Sequence, residues 1–160
     1  MLENKIYLYL DDVRTPLDPT WQVVRNYDEF VAHINLHGLD QYECISFDHD
    51  LGEEAMKEYY RNVKPNSFIN YDNISEKTGM DCARWVVDLA LREKRQLPIT
   101  YVHSANPVGT ENIINYINNY YKSQGVSEKC VAVNVEHTFM DVLTKAEIRR
   151  RIAIMMGDLN

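Results

Sequence analysis

The chain predicts an α/β fold, a three-layer, doubly wound domain built on a parallel five-stranded sheet. Strand-like and helix-like signals alternate along it, as in successive parallel βαβ units. Three strand-like runs, YLYLDDVR (7–14), CISFDHDLG (44–52) and ITYVHSANPVG (99–109), end abruptly in polar, chemically capable residues. A length of 160 residues suits one domain with a full core. In open α/β sheets ligands bind outside the carboxyl ends of the strands. If these three strands are neighbours, Asp11, Asp12, Asp48, His49, Asp50, His103, Ser104 and Asn106 converge on one crevice.

Lys5–Asp11 is the first expected strand, broken by Arg14-Thr15-Pro16 and Pro19. Trp21–Asn26 is the second. Asp28 is the expected N-cap of a helix with the stripe Phe30, Val31 and Ile34, and Gly38 suits its stop. Cys44–Phe47 is the third strand. An insertion, 53–77, follows: Glu53–Arg61 is charged and helix-capable, and Val63–Lys77 is rich in Asn, Ser and Tyr. Its size and position suit a lid or selecting flap, or equally a solvated segment without a role. Its tyrosines Tyr59, Tyr60 and Tyr71 suit stacking on a base or anchoring the flap.

From Gly79 a helical stripe returns with Met80, Ala83, Val87 and Ala90, up to about Arg95. Ile99–Val102 is the fourth strand. Thr110 is the expected cap of the next helix, whose stripe is Ile113, Ile114, Ile117 and Tyr121 and which stops before Gly125. Cys130–Val135 is the fifth strand. Thr144-Lys145-Ala146-Glu147 has capping-box spacing and opens a C-terminal helix over 144–156, with Ile148, Ile152, Met155 and Met156 inward and Arg149–Arg151 mostly outward. No repeat or second domain is visible, so 1–160 reads as a single domain on the flavodoxin-like plan.

Apolar content of 45% and charged content of 26% are ordinary globular values. A net charge of −7 argues against duplex DNA and anionic membranes as partners. Cys44, Cys82 and Cys130 lack metal or redox spacing and read as buried thiols. No signal peptide, membrane-spanning run or lipidation motif is read, which gives a cytoplasmic expectation. The oligomeric state is not legible.

Asp11, Asp12 and Asp48 offer hard oxygen ligands on separate strand ends, suited to Mg²⁺ together with phosphate oxygens and waters. Without a cation, three such carboxylates repel one another and their pKa values rise. Asp48 and Asp50 share a face in an extended strand, with His49 on the other. If the strand has already turned, His49 joins the site as ligand or proton carrier. In the third segment His103 suits general acid–base work. Ser104 and Asn106 offer hydrogen bonds, and the loop through Gly109 leads into a helix start with free N–H groups suited to phosphate. Arg14 suits either a bidentate phosphate clamp or a structural bridge to Asp11 or Asp12. GxSxG, HExxH, Walker A and GxGxxG motifs are absent.

An acidic pair after strand one, an Asp after strand three and Ser-Ala after strand four resemble the receiver domain of response regulators. LDDVRTP, FDHDLG, TGMDCARWV and HSANPVG are more specifically similar to the cyclic-phosphate processing receiver domains, over about Lys5 to Val135. The fifth strand ends Asn134-Val135-Glu136-His137, without the Lys of phosphoaccepting receivers, which argues against phosphorelay signalling. The resemblance implies a receiver-like fold and a divalent metal, Mg²⁺ or Mn²⁺, on Asp11, Asp12 and Asp48. It implies phosphate contacts from Arg14, Ser104 and Asn106, next to Gly109, and proton transfer by His103 and His49, the latter paired with Asp50. The implied activity is a metal-assisted phosphoesterase acting on a 2′,3′-cyclic phosphate RNA end or a cyclic nucleotide. The alternatives are a module that binds such a ligand without cleaving it, a degenerate receiver acting through Asp48, and a protein-interaction domain.

Overall fold

In the computed structural model five strands form one parallel sheet: β1 (Ile6–Leu10), β2 (Trp21–Val24), β3 (Tyr42–Phe47), β4 (Ile99–Val102) and β5 (Val131–Ala132), in the order β2-β1-β3-β4-β5. The residues described are 5–133 with Arg150, Ala153 and Ile154. The order reverses between β1 and β3, the switch point at which flavodoxin-like sheets open a crevice.

Period-two alternation divides the strand side chains between two faces. Leu8, Leu10, Ile45, Phe47 and Val102 face the larger apolar cluster. Phe30 and Ile34 of α1 (Tyr27–His37), Ala83 and Val87 of α4 (Gly79–Glu93) and Ile113 and Ile117 of α5 (Pro107–Ser123) pack there too. The crossovers carrying these helices all advance the same way across the sheet, so right-handed connections put them on one face. The β1–β2 connection advances the other way and carries no helix. Tyr7, Tyr9, Trp21, Cys44, Ile99 and Tyr101 form the second cluster, on the opposite face. With both faces apolar, the strands read as near-continuous hydrophobic runs.

Several expected boundaries move. Asn26, not Asp28, caps α1: its side chain accepts the Glu29 N–H at 2.9 Å, leaving Asp28 in the first turn. The second strand therefore stops at Val24. Asn106, not Thr110, caps α5, because Pro107 takes the first helical position and the Asn106 side chain accepts the Gly109 N–H at 2.9 Å. A Thr78–Asp81 capping box opens α4, a T-x-x-D signal missed in the sequence reading. The last part of the expected fifth strand and the helix expected over 144–156 lie outside the described residues, except that Arg150, Ala153 and Ile154 are helical. Cys44, Cys82 and Cys130 are buried and stand outside any disulfide among the described residues.

The insertion is folded. It comprises α2 (Glu53–Glu58), a π-helical turn over Tyr59–Val63, α3 (Lys64–Asn66) and a 3-10 turn over Tyr71–Asn73. The buried Glu58 carboxylate organises it, accepting from Asn62 Nδ2, the Asn70 amide and Asn73 Nδ2, each at 2.8 Å. Burial pushes this carboxyl up, but the hydrogen bonds and Arg61 outweigh burial and leave its pKa below the ordinary value of 4.5. Its stabilising contribution is therefore full above pH 4.5 and is lost as pH falls through the lower folded-state value. Glu58→Ala strands the three donors, at a local cost of about 2–4 kcal/mol. Faster amide exchange across 59–73, with the sheet unchanged, is the expected result.

Candidate functional site

Hydrogen bonding between strands runs one residue beyond the strand ends and so lines up the site. The Asp11 amide donates to Val24 O (3.0 Å), that of Asp48 to Leu10 O (2.9 Å) and that of His103 to Phe47 O (2.9 Å). Alternation then places Asp11 with Tyr9, Asp48 with Ser46 and His103 with Tyr101 on the second face of the sheet.

Asp11, Asp12 and Asp48 each contribute an oxygen to a cluster whose members lie within 4.8 Å of one another. Asp11 is fully buried and held from several sides. Its Oδ1 accepts the Val13 and Arg14 amides at 3.0 and 2.7 Å, and its Oδ2 meets Arg14 Nε at 3.3 Å and His103 Nε2 at 3.2 Å. Burial raises its pKa, but the His103 hydrogen bond and the two amides outweigh that and lower it overall. Asp48 goes the other way: burial, then the charges of Asp11, Asp12 and Asp50, raise it well above the usual carboxylate range despite Arg14. Asp12, half-buried, is raised by burial and then by Asp11. The set is one firmly ionised carboxylate beside two that resist ionisation, and a divalent cation would relieve this strain.

His103 lies behind this cluster. Its ring is stacked on Tyr9 with centroids 4.0 Å apart, and Nδ1 sits 2.7 Å from Ser46 Oγ. Nε2–H donates to the Asp11 carboxylate, and Ser46 Oγ is the partner of Nδ1. Burial lowers the pKa of the ring, although Asp11 opposes this. Expected as an acid or base acting on substrate, His103 is instead fully enclosed with both ring nitrogens engaged. Its link to the carboxylate cluster is through Asp11.

His49 belongs to a second network. Its Nδ1 lies 2.6 Å from Asp50 Oδ1 and its Nε2 3.0 Å from the Tyr71 hydroxyl, whose oxygen accepts from Asn112 Nδ2 at 3.0 Å. Asn106 Nδ2 donates to the same Asp50 oxygen at 3.1 Å. The expected phosphate contacts from Asn106 and Gly109 are revised accordingly: Asn106 spends its amide on Asp50 and the α5 cap, and the Gly109 N–H is taken by that cap. A Cβ at Gly109 would strike the His49 ring, so the glycine permits close packing. His49 and Asp50 meet each other but stand outside the three-carboxylate cluster.

Arg14 and Ser104 remain at the crevice. The Arg14 bridge to Asp11 is made through Nε, and its other guanidinium nitrogens make no hydrogen bond among the described residues. Ser104 Oγ accepts the Asn106 amide at 3.0 Å. Arg25 was missed. Its NH1 donates to Asp11 O (3.2 Å) and Arg14 O (2.7 Å), and its NH2 to Thr15 Oγ1 (2.7 Å), bracing the loop that carries Asp12 and Arg14. Its place just past the strand beside β1 was the available signal.

Gly79 seats α4 against the site: its amide donates to His49 O at 2.8 Å, and a Cβ there would overlap the Asp48 carbonyl. Gly79→Ala is expected to displace the helix from the strand end and cost at least about 2 kcal/mol, measurable as a shifted urea midpoint with unchanged slope.

A parallel 2-1-3-4-5 sheet with carboxylates at the ends of β1 and β3 defines a receiver-type α/β domain. The chain belongs to the cyclic-phosphate processing receiver domain family, whose sequence profile matches residues 6–119. No curated protein and no solved structure gives a match. Among the described residues no helix is long and apolar enough to cross a membrane.

Proposed function

We propose that the crevice processes a cyclic phosphate ester, a 2′,3′-cyclic phosphate RNA end or a cyclic nucleotide, as a metal-assisted phosphoesterase. The observation that carries this reading is the cluster of Asp11, Asp12 and Asp48 at the strand ends, with Arg14 bridged to Asp11 and Ser104 directly after His103, which meets Asp11. The family's description supports the same ligand chemistry. Mg²⁺ or Mn²⁺ on the three carboxylates would act as a Lewis acid toward the phosphoryl oxygens. Arg14 and Ser104 orient the phosphate, by charge and by hydroxyl donation. In hydrolysis a water oxygen forms the new P–O bond, the ring P–O bond breaks, and the released ribose oxygen takes a proton. With His49 and His103 enclosed, that proton comes from solvent at the crevice mouth.

That same enclosure favours a second reading, a module that holds the ligand without cleaving it. One experiment separates the two. The protein is incubated with cyclic-phosphate oligonucleotides and cyclic nucleotides in Mg²⁺ or Mn²⁺, then denatured, and everything released is chromatographed. A monoester product that disappears in Asp48→Ala is the result expected of the phosphoesterase. Intact ligand recovered only after denaturation supports the binding module, and neither result overturns both readings.

A further inference from the structure

A cavity of about 240 Å³ lies under the insertion, lined in part by Tyr71, Ile74, Lys77, Met80, Asp81 and Arg84. Two contacts join it to the acidic crevice. The Tyr71 hydroxyl meets His49 Nε2, and Gly79, between the lining residues Thr78 and Met80, is seated on the Asp48 and His49 backbone. The cavity and the carboxylate cluster thus share one backbone segment, 48–49.

The lining does not favour an anion as the occupant, since its two cations are matched by two carboxylates. The start of α4 has no amide to offer a phosphate there: the Thr78 N–H goes to Asp81 Oδ2, that of Gly79 to His49 O and that of Met80 to Thr78 Oγ1. Two carboxylates, Glu76 and Asp81, line the cavity as well. Asp81 uses one oxygen in the capping box, and Glu76 Oε2 is buried without a hydrogen-bond partner among the described residues. Lys77 and Arg84 supply donors, held by cation–π contact over Tyr27 at 5.6 Å and Tyr116 at 5.9 Å. Tyr71, Ile74 and Met80 supply aromatic and apolar wall. A lining that combines aromatic and apolar side chains with both donors and acceptors is how proteins read a flat heterocycle. The volume falls below the ~300–1,000 Å³ of drug-sized pockets and suits one ring system.

We propose that this cavity is a nucleobase subsite, which places the base of the crevice's nucleoside cyclic phosphate under the insertion. The proposal rests on the cyclic-phosphate reading above. Its test compares adenosine and uridine 2′,3′-cyclic phosphates with glycerol 1,2-cyclic phosphate, following both turnover and ligand retained after desalting in Mg²⁺. The wild-type protein is expected to favour the nucleosides by about tenfold or more. Ile74→Trp fills the cavity and is expected to reduce the nucleosides to the glycerol level, leaving the glycerol compound unchanged. Ser75→Trp, at an exposed lining position, is expected to do the same and decides the matter if Ile74→Trp disturbs folding. Equal handling of all three compounds by the wild type, or a preference surviving in Ser75→Trp, overturns the subsite and leaves the cyclic-phosphate reading standing. A wild-type protein that handles none of them overturns both.

Discussion

Asp48→Asn is expected to raise the melting temperature of the metal-free protein and to abolish its response to Mg²⁺ or Mn²⁺. Asp48 is buried against Asp11, Asp12 and Asp50, and its pKa is raised in the folded state. For an acid shifted upward, the stabilising contribution is full below the unfolded-state value of 3.8 and is lost as pH rises through the folded-state value. The metal-free wild type therefore loses stability as pH rises, and divalent cation restores it. An amide removes the buried charge, flattening the pH dependence along with the metal response. The expected gain is several degrees at neutral pH, since about 1 kcal/mol corresponds to about 2–4 °C at this chain length. Thermal melts from pH 5 to 9, with and without cation, measure it. An Asp48→Asn protein still stabilised by Mg²⁺ as the wild type is would remove Asp48 from the metal-site proposal.

His103→Ala is expected to cost about 3–4 kcal/mol of stability, from a cavity beneath Tyr9 and an unpaired Ser46 hydroxyl. It is also expected to weaken the cation response, because Asp11 loses one of the two partners that fix its Oδ2. The informative partner is His103→Gln, whose side-chain amide can donate to Asp11 without titrating near neutral pH. A histidine that positions Asp11 is rescued by Gln in cation-induced melting shifts and in any phosphoesterase rate. A histidine that carries a proton is not, and loss of rate in both variants with full cation response in His103→Gln would restore it as an acid–base group.

The sheet was readable because its strands are apolar on both faces and stop in abrupt polarity; Ile99–Val102 was read to the residue. Convergence of Asp11, Asp12 and Asp48 followed from strand ends alone. Cap assignment was weaker, because Asn26 and Asp28, like Asn106 and Thr110, are both capping types, and the choice is made by geometry. Pro107 carried the decisive hint for α5. The histidines' surroundings were hidden for a different reason. A sequence shows that His103 follows a strand, but its partner Asp11 belongs to a distant one, and that pairing closes the ring off from ligand. The alternation shared with Tyr101 was visible and pointed the same way. Glu58 was opaque, because its donors come from the unpatterned Asn-rich stretch that only the fold gathers.

The first crossover lacks a helix, and the loop it leaves is held by the fork of one guanidinium. Arg25 reaches two carbonyls and a hydroxyl at once. An ammonium keeps the charge but lacks the planar fork, so lysine is no conservative exchange here. Position 25 is thus a single point of failure: three of the contacts that hold the crevice's leading edge converge on one side chain rather than being spread over a helix.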